Sequence, residues 1–247
     1  MKIDVLTLFP EMFEAVTGSS ILKRAAEKGI IDIRTTDIRD FSRDKHNKAD
    51  EYPFGGGGGM IMSAEPIFGA MKSVNAGEKK VVYMSPRGSV LDSGKIKELS
   101  EMEELVILCG HYEGVDQRVL DYWDAEEISI GDYILTGGEL PAMVLIDSVA
   151  RLLPGTLGNE NSALDESVYS GLLEHDQYTK PREYEGMAVP EVLLSGNHEL
   201  IRLWKFRNSL EKTKKRRPDM FDAFVKGRED FSKKEREIIE EIMKIEP

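Results

Sequence analysis

The sequence predicts an α/β fold built on a mostly parallel sheet, followed by a smaller helical segment. Three observations predict it. Short β-rich apolar runs alternate with helical patterns through about the first 150 residues, the signature of strands joined by helical crossovers. From Pro154 to Gly171 large apolar residues thin out while Gly, Asn and Ser accumulate, as in a linker. Beyond it the pattern is helical, with two capping signals.

Taken in order, Lys2–Phe9 alternates apolar and polar residues as a strand does, and Pro10 is a natural first helical residue. Met12, Phe13, Val16, Ile21, Leu22 and Ala25 fall at helical spacing, so Glu11–Lys28 is expected to be one helix, stopped by Gly29. Ile31–Asp37 reads as a second strand and Arg39–Gly59 as a long loop, charged at first and then glycine-rich. A helix is expected after Ser63, then a buried strand at Val81–Met84, a helix at Ser93–Met102 and a buried strand at Leu105–Cys109. Val115–Tyr122 reads as a helix, Glu126–Ile130 as a short strand and Leu140–Leu153 as an apolar helix. In the last part Asn197 is placed to cap His198–Leu210. Ser232-Lys-Lys-Glu235 is a capping box opening a helix to about Lys244.

At 247 residues, 40% hydrophobic and 32% charged, the chain has ordinary globular proportions and enough length to bury a core. Its single cysteine, Cys109, excludes an internal disulfide and any cysteine-based zinc site. The longest apolar runs, Leu105–Cys109 and Ala142–Ile146, fall far short of the roughly 20 residues that span a bilayer. The N-terminal MKIDVLTLFP enters a strand without a basic-then-apolar leader, so a cytoplasmic protein with no membrane partner is expected. The net charge of −12 hides an asymmetry: Arg202–Arg217 holds eight Lys/Arg and one acid, a local +7, leaving −19 for the rest. Such a stretch either grips a phosphate backbone locally or forms a solvated helix face, and charge alone does not choose.

Several chemistries are missing. No Gly-x-Gly-x-x-Gly follows a strand, and neither His-Glu-x-x-His nor Gly-x-Ser-x-Gly occurs. Gly88–Lys95 only superficially resembles a phosphate loop, being one residue too long with Ile96 in place of Ser/Thr. The four histidines, His46, His111, His175 and His198, are scattered, so no metal ligands are assigned. What the sequence does carry is three glycine-bearing loops after the later strands: Ser85-Pro86-Arg87-Gly88, Gly110-His111-Tyr112-Glu113-Gly114, and Ile130 to Pro141 with Gly131, Gly137 and Gly138. Ligands of open α/β sheets bind beyond the carboxyl ends of strands, and glycines let backbone approach them closely. The three loops predict a small-molecule site of unspecified ligand.

The segments LCGHYEGVDQRV, EEISIGDYILTGGELPAMVLIDSVARLLPG, SGLLEHDQYTKP and LLSGNHELIRLWK closely resemble the bacterial tRNA (guanine-N1)-methyltransferase family, TrmD, and the resemblance runs from MKIDVLTLFPEMF almost to the C-terminus. It implies a SPOUT-type α/β domain with a C-terminal trefoil knot over residues 1–154, a flexible linker over 155–172 carrying the catalytic acid, and a helical tRNA-binding domain over 173–247. It implies a homodimer with its active site at the subunit interface. The donor is S-adenosylmethionine, and the substrate is tRNA, methylated on N1 of the guanosine immediately 3′ of the anticodon, position 37. A related knotted methyltransferase acting on another RNA nucleotide, or a non-catalytic RNA-binding protein of the same fold, are the rival expectations.

Position by position, the resemblance assigns the donor to Tyr83, Met84, Ser85 and Pro86 of the first loop and Gly110, Tyr112, Glu113 and Gly114 of the second. From the third it takes Ile130, Gly131, Asp132, Tyr133, Ile134, Leu135, Gly137, Gly138 and Pro141. Glu113 would face the sulfonium or amino group. The family pairs a linker Asp, as base, with an Arg after the knot. The Arg matches Arg151, whereas the ungapped base position falls on Glu166, with Asp165 one place earlier, so both acids stay open. KHNKADEYPFGGGGGMIM matches the family's glycine-rich loop with Phe54 replacing Tyr and Gly58 replacing Pro, which assigns His46, Phe54, Gly55, Gly56 and Gly57 to tRNA. The basic stretch, Lys205, Arg207, Lys212, Lys214, Lys215, Arg216 and Arg217, would hold the anticodon stem. Magnesium is admitted by the family, but no metal-ligand spacing in the sequence provides for it.

Overall fold

The computed structural model describes residues 1–157, 169–228 and 230–244. The chain divides into two compact units, Met1–Glu160 and Asn161–Pro247, each described by itself.

In the first unit, strands β1 (Lys2–Thr7), β2 (Asp32–Asp37), β5 (Lys80–Val90), β6 (Glu104–Cys109) and β7 (Glu126–Ser129) form one parallel sheet in the order β2-β1-β6-β5-β7. The strands β3 (Asp50–Glu51) and β4 (Ile61–Met62) make a separate antiparallel pair flanking the glycine-rich loop. Helices are α1 (Glu14–Thr17), α2 (Ser20–Glu27), α3 (Ala64–Ser73), α4 (Ser93–Ser100), α5 (Gln117–Tyr122) and α6 (Glu139–Leu152). Strand period two sends alternate residues of β6 to opposite faces. Leu105, Ile107 and Cys109 join a core with α2, α4 and α6, while Val106 and Leu108 join one with α3 and α5. Both faces of β6 are therefore covered, which is why it reads as a continuous apolar run rather than an alternating one.

Four local expectations are corrected. The single helix over Glu11–Lys28 is three pieces: a 3-10 turn at Pro10–Phe13, then α1 and α2, parted at Gly18 and Ser19, where Ser19 is extended and Ser20 has φ +51°. The loop after Arg39 holds a 3-10 turn, Ile38–Phe41, and the strand β3. Val115 does not begin a helix, because it bridges to Met62; Asp116 caps α5 instead, its carboxylate accepting from Arg118 N. The strand read as Val81–Met84 resumes after its loop: Met84 and Ser89 both stand opposite Ile128, so residues 85–88 are an excursion within β5. Pro86 has no N–H to give a ladder, and Ser85 Oγ takes the Arg87 amide at 3.2 Å, which closes the bulge.

The second unit is mainly helical, with α7 (Glu191–Leu194), α8 (His198–Arg216), α9 (Pro218–Gly227) and α10 (Lys233–Lys244). Asn197 caps α8 through Leu200 N at 3.2 Å, and the capping box at Ser232 and Glu235 is formed in both directions. Leu172, Leu210, Phe221, Ile238, Ile239 and Ile242 make its core. Three features exceed the sequence reading. α8 runs six residues past Leu210, α9 was not expected, and a hairpin joins β8 (Glu183–Tyr184) to β9 (Met187–Ala188) through Glu185 and Gly186, both at positive φ.

Candidate active site

The three glycine-bearing loops, the excursion of residues 85–88 within β5 and the turns that follow β6 and β7, meet around a cavity of about 480 Å³. The middle turn, residues 110–116, is stitched on both sides. Toward the glycine-rich loop, Glu113 N donates to Met60 O at 3.0 Å and Met62 N to Gly114 O at 2.9 Å. Toward the third loop, His111 forms an antiparallel bridge with Gly137, and Gly138 N donates to Gly110 O at 2.8 Å. Gly138 is required by this crossing: a Cβ there would stand 2.8 Å from Cys109 Cα, a contact with backbone that cannot turn aside.

Every residue assigned to the donor lines this cavity except Asp132. The wall also includes Arg87, His111, Gln117 and Thr136, which the sequence reading did not assign to the donor. Arg87 is held by Glu127 through two bonds of 3.1 and 3.2 Å. Tyr83 is buried, and burial first of all pushes its phenol above the usual value. Tyr112, Tyr133 and Ile134 expose half or more of their surface, leaving apolar faces free beside the backbone groups. Cys109, fully buried below, has its thiol pushed well up by burial and then by the nearby Glu139, so it is inert as a nucleophile.

A second cavity of about 700 Å³ adjoins the first, sharing Ile61 and Gln117 with it. Tyr52, Phe54, Phe68 and Arg118 line it, and Phe54, wholly exposed, forms the tip of the glycine-rich loop. Gly55, Gly56, Gly57 and Gly59 all have positive φ, and at Gly55 to Gly57 nothing lies near an added Cβ, so backbone conformation rather than crowding calls for glycine there. Gly59 is different: a Cβ would meet Glu113 Oε1 at 2.6 Å, so this loop packs directly on a residue assigned to the donor.

Arg151 is in the last turn of α6, about 18 Å along the axis from Glu139 beside the cavity, at 1.5 Å per residue. Asp165 and Glu166 lie outside the described residues. His46 is exposed in the loop before β3, its amide held by Asp44 at 2.8 Å. On α8 and at Arg217, which follows it, much of the positive charge is already engaged: Arg207 pairs with Glu241, Lys212 with Asp176 at 2.5 Å and Arg217 with Asp219 at 2.6 Å. Lys214 donates to Ile242 O at 2.8 Å, near the C-terminal end of α10. Lys205, Lys215 and Arg216 make no ion pair among the described residues. Among those residues no group of three or more His, Cys, Asp or Glu side chains could hold a metal ion, and no helix is long and apolar enough to cross a membrane.

The family profile described as tRNA (Guanine-1)-methyltransferase TrmD matches residues 1–223. The chain belongs to this family. A tRNA (guanine-N(1)-)-methyltransferase of Ruminiclostridium cellulolyticum is 55% identical over 225 residues, covering 90% of this chain and 97% of the relative. Those of Staphylococcus epidermidis and Geobacillus kaustophilus are 52% and 53% identical, covering 97% and 91% of this chain and 96% and 93% of theirs. The three cavity loops and the glycine-rich loop fall inside the part shared with the TrmD profile, as does α8; the match ends within α9, and α10 lies beyond it.

Proposed function

We propose that the protein transfers a methyl group from S-adenosylmethionine to N1 of the guanosine immediately 3′ of the anticodon, position 37, in tRNA. The observation that carries this reading is the cavity made by the three crossed turns, in a member of the tRNA (guanine-N1)-methyltransferase family. Its size lies within the roughly 300–1,000 Å³ of small-molecule sites. Its lining suits the donor: exposed backbone N–H and C=O for a neutral adenine and ribose, aromatic and aliphatic faces at Tyr112, Tyr133 and Ile134, and the Glu113 carboxylate for a positive centre. When bound, S-adenosylmethionine supplies an electrophilic methyl group. The tight crossing of 137–138 on 109–111 also supports a SPOUT-type knot here, since such a crossing is what a threaded chain needs.

The second cavity is the proposed entry for the nucleotide, with Tyr52 and Phe54 offering stacking faces and the Gly55–Gly57 backbone offering close approach. Guanine N1 carries a proton and becomes nucleophilic only as that proton leaves. A carboxylate takes the proton, Glu166 by position or Asp165 beside it, and the Arg151 guanidinium balances the negative charge growing on O6. Arg151 stands a helix length from its own cavity, which supports a homodimer in which a second copy supplies it together with the linker acid. The exposed Leu140 and Val144, one turn apart on α6, give that copy an apolar surface to cover. Lys205, Lys215 and Arg216 are the proposed phosphate contacts. A protein working inside the cell on tRNA needs no membrane, which agrees with cytoplasmic residence.

The test is methyl incorporation from labelled S-adenosylmethionine into a tRNA transcript bearing G at position 37. Incorporation should vanish when that G becomes A, and nucleoside mapping should give 1-methylguanosine. Unchanged incorporation into the substituted transcript would reject the site specificity. Glu166→Gln should slow transfer at least 100-fold with donor affinity held; a dead Asp165→Asn beside a normal Glu166→Gln would move the base to Asp165.

A further inference from the structure

Glu139, the first residue of α6, is the only buried acidic side chain among the described residues, with 1% of its surface exposed. It is not part of the cavity wall but stands behind it. Its Oε1 accepts from Thr7 Oγ1 at 2.6 Å, and its Oε2 lies 2.6 Å from His111 Nε2. Thr7 Oγ1 already accepts the Phe9 amide at 2.9 Å, which leaves the hydroxyl proton for the carboxylate. His111 is confined further: its ring lies 4.9 Å from that of Phe9, and its amide donates to the Met62 sulfur at 3.2 Å. One carboxylate thus ties the end of β1, the 110–114 turn and the 130–138 turn together.

Burying a carboxylate is costly, and packing alone would be served as well by an apolar or amide side chain. A carboxylate has one property those lack. Its two oxygens can accept both bonds at once, so it fixes the Thr7 hydroxyl and the His111 ring in a single geometry. His111 is itself a wall residue, and Gly137 is so close that an added Cβ would lie 2.2 Å from His111 Nε2. Where that ring sits therefore decides how near the two turns approach.

We propose that Glu139, with Thr7, is a positioning residue for the methyl donor, holding His111 so that the 110–114 and 130–138 turns keep the separation the donor needs. The proposal rests on the donor reading of the cavity. Loss of the brace lets the ring turn and the wall shift, and misplacement of a binding wall by about 1 Å is enough to cost large factors in productive binding.

The experiment titrates full-length protein with S-adenosylhomocysteine, the demethylated donor, and measures KM for donor and for tRNA separately. Glu139→Ala should raise the Kd for S-adenosylhomocysteine and the donor KM tenfold or more, with the tRNA KM at saturating donor within twofold of wild type. Thr7→Val, which keeps shape but loses the hydroxyl, should raise both donor constants about threefold, and Thr7→Ser should restore them. Glu139→Gln, able to accept only one of the two bonds, should fall between. Folded Glu139→Ala with wild-type donor constants would overturn the proposal. If Glu139→Ala does not fold, Thr7→Val decides: a lowered melting temperature with unchanged donor constants marks a purely structural brace and overturns it. Wild-type protein that does not bind S-adenosylhomocysteine would overturn the donor reading itself, and this proposal with it.

Discussion

Around the cavity of the first unit polar groups are buried, paired at close range and joined to backbone; on α8 of the second unit they are exposed and paired with acids that solvent also reaches. Thr7 and Glu139 are closed off from water, and His111 keeps only 15% of its side chain exposed while bonded to Glu139. Arg207 and Arg217 remain more than a third exposed while paired, so a phosphate can replace Glu241 or Asp219 at little cost. The difference suits the ligands proposed for each. A small donor is recognised by a surface set in advance, whereas a long phosphate backbone is recognised by charges that are free to rearrange. Substitutions should therefore act steeply in the first region and gradually, with strong salt dependence, in the second.

The sharpest break is expected at Gly138. In Gly138→Ala the new methyl meets the Cys109 backbone at 2.8 Å, so the 137–138 crossing must open and the Gly138 amide must leave Gly110 O. Affinity for S-adenosylhomocysteine, measured by calorimetry, should fall at least 100-fold. Gly56→Ala is the contrast: it has open space and only the strain of φ +78°, worth about 1 kcal/mol, and its donor affinity should stay within twofold of wild type. Equal effects from the two would show that crowding at the crossing does not shape the site.

A smaller effect is expected on the basic face. Lys215→Glu with Arg216→Glu removes two charges that make no ion pair among the described residues and should weaken tRNA binding about tenfold at moderate salt. Each lost phosphate contact should also reduce the slope of log affinity against log salt by roughly 0.7–0.9. Arg207→Glu should instead cost stability first, because it faces Glu211 and Glu241. A salt slope unaltered by the double change would leave α8 as a solvated face.

These contrasts also explain what could be read from the chain. The parallel sheet and the three loops were legible because burial on both faces forces continuous apolar strands and because the turns need glycine. Asp132 was assigned by its neighbours, yet the turn around Gly131 keeps it off the cavity wall. The Glu139 brace left no mark, since its partners are 28 and 132 residues away and nothing local distinguishes a braced acid from a helix-start acid. Lys214 looked like one more phosphate ligand, but it faces carbonyls of α10, a contact only the folded unit reveals. The helix α9 was hidden because Pro218 reads equally well as the end of one helix or the first residue of the next. The β8–β9 hairpin has strands of two residues each, too short for any alternation to register.

The mildest prediction concerns the second unit alone. Burial works against the Glu235 carboxylate, but the Ser232 hydroxyl and amide and the Arg202 guanidinium outweigh it and hold its pKa at about 2. A folded pKa below the unfolded one adds stability that is complete above the unfolded value, near 4.5, and is lost as pH falls toward 2. A shift of that size corresponds to at most about 3.5 kcal/mol, and the half-exposed Arg202 brings the expected share closer to about 1–2 kcal/mol. Glutamine keeps the capping geometry and loses the charge. Urea unfolding of Glu235→Gln, followed by Trp204 fluorescence with Trp123 replaced by phenylalanine, should show the full deficit between pH 6 and 7. The gap to wild type should narrow through pH 4 and close near pH 2, where a protonated Glu235 resembles the amide. A deficit independent of pH would assign the loss to the geometry of the box, leaving the charge of Glu235 without a part in holding α10.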